Sequence, residues 1–92
     1  AVADAVQRQK LDAVLCYSDY AALGLVMELL RRGVRVPKDV AVAGFDNLPF
    51  GEAFGPGLTT TDYPAEAMAD HALRLMRERV KHPERPAVKL CV

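Results

Sequence analysis

The chain has no net charge to offer: twelve basic and twelve acidic side chains cancel. Capture of a phosphate backbone rests on Lys and Arg neutralising many phosphates at once, so these residues are not expected to hold DNA by themselves. No apolar run reaches membrane-spanning length and no basic-then-apolar leader opens the chain, so a cytoplasmic location away from the membrane is expected. Cysteine is scarce. Cys16 and Cys91 lie in apolar, strand-like runs with no second Cys or His at ligand spacing. They read as buried free thiols rather than a disulfide or a metal pair. Catalytic motifs are missing as well: there is no G-x-S-x-G, no Gly-rich phosphate loop and no H-E-x-x-H. His71, beside Asp70, and His82, before a proline, read as solvated surface groups. The acids and late lysine of a phosphoryl-accepting receiver are incomplete. No enzymatic activity, metal or cofactor is therefore expected.

What is present is an α/β pattern. With 92 residues, 51% hydrophobic and 26% charged, the chain is globular, as one small domain or part of a larger one. Residues 1–10 look like the end of a helix with Val2, Ala5 and Val6 on one face, and residues 11–17 (LDAVLCY) form an apolar strand. Ser18 or Asp19 can cap the next helix, which runs to about Arg32 and stops at Gly33. That helix carries two apolar stripes. Ala22, Leu25, Val26 and Leu29 should cover the sheet, while Leu23, Met27 and Leu30 call for a partner such as a second subunit. After a turn over residues 34–39, residues 40–45 form a nearly unbroken apolar strand of the kind covered on both faces, with Gly44 allowing close approach. Residues 48–57 form an irregular loop with a helical turn near residues 51–54, and residues 58–61 (LTTT) are β-prone. Pro64 fits the first position of a long helix to Lys81, whose buried face is Met68, Ala72, Leu75 and Met76, with Ala65, Ala69, Leu73 and Val80 beside them. Asp70 and Arg74 are spaced for a favourable pair on its wet face. Residues 87–92 begin a last strand.

Strand, helix and strand make a βαβ unit, which brings the carboxyl ends of both strands to one edge of the sheet. Tyr17, Ser18 and Asp19 therefore meet Asp46 and Asn47 at the edge where open α/β sheets bind ligands. A carboxylate there can accept two sugar hydroxyls or a purine N–H, while a hydroxyl or an amide orients the ligand. An Asp after a strand is also a common turn former that bonds its own backbone, and geometry alone leaves both roles open for Asp46.

The series DAVLCYSDYAALG, RRGVRVPKDVAVAGFDN and LTTTDYPAEAM, in that order and spacing, resembles the C-terminal half of the effector-binding region of LacI/GalR-type transcriptional repressors. Periplasmic sugar-binding proteins of transporters share that fold and are the alternative. The V-P-x-D-V turn and the L-T-T-plus-Pro segment look more like the repressors. The resemblance implies most of one lobe of a two-lobed, periplasmic-binding-protein-like domain, with a parallel sheet flanked by helices and an effector held between lobes. It implies that Asp46 and Ser18 contact the effector, a sugar or another small polar molecule. Ser18 stands where some sugar-responsive members carry Asn. It also implies a homodimer built through Leu23 and Phe54. The family's helix-turn-helix headpiece and N-terminal lobe have no counterpart here, so residues 1–92 are expected to be part of an effector-binding and dimerisation domain that reaches DNA only through the absent headpiece.

Overall fold

The chain's computed structural model describes residues 1–51 and 57–92. They fall into two compact units, Ala1–Asp62 and Tyr63–Val92. The first contains helix α1 (Val2–Gln9), strand β1 (Ala13–Leu15), helix α2 (Asp19–Arg31) and strand β2 (Ala41–Ala43). The second contains helix α3 (Ala65–Lys81).

In the first unit β1 and β2 pair in parallel, Ala13 opposite Ala41, Val14 opposite Val42 and Leu15 opposite Ala43, so β1, α2 and β2 form the expected crossover unit. The ladder outlasts the strands: the Cys16 N–H donates to the Ala43 carbonyl at 2.8 Å. On the other side of β2, Ala43 forms a parallel bridge with Thr59, and the Gly44 N–H donates to the Thr59 carbonyl at 2.8 Å. The β-prone LTTT run thus serves as a third rung beside β2.

The expected stripe of α2 is the buried one. Ala22, Leu25, Val26 and Leu29 join Ala3 and Val6 of α1 and Val40 and Val42 of the second strand in the core, with Val14 and Cys16 packed against them. Full burial of Leu29 alone contributes about 2 kcal/mol. In α1 the inward residues are Ala3 and Val6, whereas Val2, expected inside, is exposed. The helix meets α2 one position round from the predicted face.

Both helices of this unit cover the same side of the sheet. The opposite side presents Ala13, Leu15, Ala41 and Phe45 to solvent, with Leu15 77% exposed. The two-sided burial expected from the run at residues 40–45 is thus not met within the unit: apolar residues make a strand suited to a sandwich, but only packed elements make one.

Helix α2 ends as Gly33 predicts. Gly33 takes φ 79°, its N–H donates to the Leu30 carbonyl at 3.0 Å, and the Val34 N–H donates to the Leu29 carbonyl at 2.9 Å. This is the Schellman arrangement, which satisfies carbonyls that the helix itself leaves free. Arg32 then ties α2 to α1, donating to Asp4 at 2.8 Å, to Gln7 at 2.9 Å and to Glu28 at 2.9 Å. The following turn is closed by Asp39, which accepts from the Arg35 backbone N–H at 2.8 Å and from its guanidinium at 2.6 and 2.9 Å.

In the second unit α3 has its predicted extent, but no residue of it is buried. Met68, Leu73, Met76 and Val80, expected inside, are exposed. Pro64 is the residue before the first turn rather than within it. The Asp70–Arg74 pair does not form; Arg74 lies 3.3 Å from His71 instead. Residues 87–92 make no strand, because a strand exists only where another backbone supplies its hydrogen bonds and none does so within this unit. Arg79 instead donates to the carbonyls of Pro83, Arg85 and Pro86, holding the tail's first turn. Cys16 is half-buried and Cys91 is exposed, which corrects the expectation of two buried thiols, and neither is in a disulfide. No helix among the described residues is long and apolar enough to cross a membrane.

Two carboxylates mark the acid sensitivity of this fold. Hydrogen bonds from Arg31 and then Arg32 lower the Glu28 pKa from 4.5 to about 2. The Arg35 guanidinium and backbone N–H lower that of Asp39 from 3.8 to about 2. Between these values the unfolded chain binds more protons than the folded one. The stability the two pairs contribute is therefore complete above their unfolded values and lost as pH falls towards 2. Urea midpoints followed from pH 5 down to about pH 2 should fall, and the fall should be shallower in Glu28→Gln and Asp39→Asn.

Candidate functional site

The edge at which β1 and β2 end is built around Asp19. Ser18, extended at φ −153°, caps α2 with its Oγ, which accepts from the Ala21 N–H at 3.2 Å. The sequence allowed either residue this role; because Ser18 takes it, the Asp19 side chain is free to turn inward. Asp19 is 0% exposed. Its Oδ2 accepts from the Leu48 N–H at 2.8 Å, its Oδ1 accepts from the Thr60 hydroxyl at 2.6 Å, and its own N–H donates to the Phe45 carbonyl at 2.8 Å. It also sits in the first turn of α2, at the positive end of the helix dipole.

Gly44 is the other half of this fit. A Cβ there would lie 3.0 Å from the Asp19 Cα and 3.2 Å from the Ala22 Cβ, and closer still to the Asp19 carboxylate. The close approach expected of Gly44 is thus an approach by Asp19.

Beyond Gly44 the backbone turns into an unusual conformation: Asp46 has φ 107° and Asn47 φ 54°. Two successive non-glycine residues in the left-handed region are held by hydrogen bonds. The Asp46 N–H donates to the Thr61 carbonyl at 3.1 Å, and the Asn47 N–H to the Thr60 Oγ1 at 3.3 Å. Asp46 is half-buried and Asn47 exposed. Among the described residues neither side chain has a hydrogen-bond partner.

The predicted convergence is present: residues 17–19 and 46–47 meet at one edge, joined through Asp19. Within this group Asp19 faces inward with both oxygens occupied, whereas Tyr17, at 86% exposure, faces out. Tyr20, in the first turn of α2, lies over Phe50 with ring centroids 5.1 Å apart. Of the residues expected at a subunit contact, Leu23 is half-buried, Met27 and Leu30 are exposed, and Phe54 lies outside the described residues, as does most of the helical turn expected at residues 51–54. The residue that sequence reasoning missed is Thr60. The LTTT run signalled a strand, but nothing in it distinguishes the threonine that reaches a carboxylate 41 residues away.

The family model of the periplasmic binding protein-like domain matches residues 1–91. The chain belongs to this family, in its LacI/GalR type. It is 40% identical over 72 residues to the HTH-type transcriptional repressor PurR of Vibrio cholerae, covering 78% of this chain and 21% of that protein. Among solved structures it resembles a LacI family transcriptional regulator from Arthrobacter sp. FB24 in complex with lactose, with a TM-score of 0.82 and 29% identity over 97% of this chain and 33% of that one. A LacI family regulator from Lactobacillus casei with bound sucrose matches with a TM-score of 0.74 and 32% identity over 88% of this chain and 30% of that one. The chain spans about a fifth of the length of the curated repressor. The LacI/GalR resemblance drawn from the three motifs is thus borne out, and so is the α/β fold class. The named relatives are regulators of transcription rather than enzymes.

Three substitutions test this architecture. Asp19→Ala leaves the Leu48 N–H and the Thr60 hydroxyl without their buried acceptor and should cost roughly 2–4 kcal/mol in urea unfolding. Asp19→Asn, which can still accept one of those bonds, should cost less than Asp19→Ala. Gly44→Ala forces a methyl against the Asp19 backbone and should destabilise by about 1–3 kcal/mol, measured the same way.

Proposed function

We propose that this chain forms part of the effector wall of a transcriptional regulator, with the Asp46 carboxylate accepting hydrogen bonds from a small hydroxyl-rich ligand of the sugar kind. The observation that carries this reading is the state of Asp46 itself. It is half-buried at the edge where both strands end, its carboxylate has no partner among the described residues, and its backbone sits at φ 107°. Such backbone conformations cost about 1–3 kcal/mol and cluster at ligand sites, where the surroundings over-determine them. A turn former bonds its own backbone with that carboxylate, and no such bond forms among the described residues.

The other residues take roles that follow from their free groups. The Ser18 Oγ accepts the Ala21 N–H, so its hydroxyl proton remains available to donate to a ligand oxygen. The Asn47 amide offers both a donor and an acceptor, and the exposed Tyr17 ring offers an apolar face. Asp19, with both oxygens engaged, supports the site from below rather than touching the ligand. The lactose and sucrose in the two related structures make sugars the first ligands to test.

In the whole protein this wall would belong to an effector cleft whose occupancy controls DNA binding by a helix-turn-helix part; the repressor relative is named as of the HTH type. Control of this kind needs an effector that binds the DNA-competent and DNA-incompetent states with different affinity. The face of α2 bearing Leu23, Met27 and Leu30, together with Phe54, would join two copies.

Thermal shift of the intact protein with lactose and sucrose tests the site. Ligand at about 100 times its Kd stabilises by about 2.7 kcal/mol, and Asp46→Ala should abolish that shift. A shift retained in the variant removes Asp46 from the site. Asp46→Gly should abolish the ligand response as well, yet raise the stability of the ligand-free protein by roughly 1 kcal/mol, because glycine adopts the left-handed φ without strain. For the dimer, Met27→Glu should yield monomers by sedimentation velocity with an unchanged circular dichroism spectrum. A variant that stays dimeric moves the interface elsewhere.

A further inference from the structure

Asp46 and Asn47 adopt two consecutive left-handed φ values without a glycine to make them easy, so something must hold them there. The hydrogen bonds around residues 44–48 come from two sides. On one side Asp19 accepts the Leu48 N–H and donates its own N–H to the Phe45 carbonyl. On the other, the Thr59 carbonyl accepts the Gly44 N–H and the Thr61 carbonyl accepts the Asp46 N–H. Between them stands one side chain. The Thr60 hydroxyl donates to the Asp19 Oδ1 at 2.6 Å and its oxygen accepts the Asn47 N–H at 3.3 Å, so it touches both the buried anchor and the left-handed pair.

We propose that Thr60 is the positioning residue of this site: its hydroxyl, braced against Asp19, holds Asn47 and thereby Asp46 in the left-handed conformation that presents the Asp46 carboxylate at the sheet edge. The consequence for ligand binding rests on the effector reading above; the positioning itself does not. A hydroxyl is needed because the group must donate and accept at once. The donor must meet a carboxylate oxygen and the acceptor a backbone N–H, which neither an ammonium nor a carboxylate at this position can do. Valine has nearly the same shape and can do neither, while serine can do both.

The test is amide hydrogen exchange by NMR on the intact protein, comparing wild type with Thr60→Val and Thr60→Ser. In Thr60→Val the Asn47 amide should exchange about tenfold faster, as expected for a hydrogen bond lost at an otherwise folded site, while the Ala43 amide, on the side of β2 paired with β1, keeps its wild-type rate. Thr60→Ser should restore Asn47 to within about twofold of wild type. An unchanged Asn47 rate in Thr60→Val, or a Thr60→Ser protein that behaves like Thr60→Val, overturns the proposal. If Thr60→Val does not fold, the same substitution is made together with Asp46→Gly and Asn47→Gly, since glycine needs no brace to reach these φ values. Recovery of the fold then supports the positioning role, and a chain that stays unfolded overturns it, because the hydroxyl would then matter only to Asp19. Lactose and sucrose titrations of the same proteins separate the two claims. Absence of binding by wild type counts against the sugar reading, while the Asn47 exchange rate still decides the role of Thr60.

Discussion

A carboxylate shut away from water must have its oxygens satisfied from within, and in this chain that requirement falls on Asp19. Leaving such a group unpaired costs several kcal/mol, so the segments that supply its donors are not free to drift. Those segments are the start of the loop at Leu48 and the strand-like run at Thr60, while the Phe45 carbonyl takes the Asp19 N–H. One buried side chain at the first turn of α2 thereby sets where β2 ends, where the next loop begins and where the third rung of the sheet lies. The same demand explains Gly44, whose missing side chain is the space the Asp19 backbone and carboxylate occupy.

The edge where both strands end inherits its shape from this arrangement. With Gly44 and Leu48 held by their neighbours, the intervening residues have little choice of path, and Asp46 and Asn47 take left-handed conformations that neither would favour alone. Under the proposed function, stability and ligand binding pull in opposite directions at these positions. Glycine would ease the backbone, but it would remove the carboxylate and the amide that give the edge its chemistry. An edge assembled from a buried acid, a strand end and a bridging hydroxyl presents its polar groups already arranged, which would lower the ordering cost of gripping the small polar ligand proposed for it.

The apolar surfaces tell a separate story. Met27 and Leu30 of the second α2 stripe, the Leu15 and Phe45 side of the sheet and the Met68, Leu73 and Met76 side of α3 are each apolar and each exposed within their own unit. Their composition is that of buried faces rather than of solvated ones, which is what supports the subunit contact proposed for α2. For α2 the polar residues fit the same picture. Glu28, Arg31 and Arg32 pair among themselves and with Asp4 at the helix's C-terminal end, leaving Met27 and Leu30 as the uncharged, accessible residues of that end.

Much of this could be read from the residues because it depends on local chemistry. Helix α2 announces itself through its apolar spacing, its Ser18 cap and its Gly33 stop, and the parallel pairing of β1 and β2 follows from the length of the connection between them. The meeting of residues 17–19 with residues 46–47 is legible for the same reason, since a crossover returns the chain to the edge it left. The motif spacing also carried the family. Tertiary structure decided what periodicity cannot express: which of two candidate caps turns inward, which threonine in LTTT meets a carboxylate, and which side of an apolar strand or helix is covered. Periodicity records that a face is fit for burial, but burial itself requires another surface. A buried hydrogen bond, likewise, requires a partner that lies close in space, however far it lies along the chain.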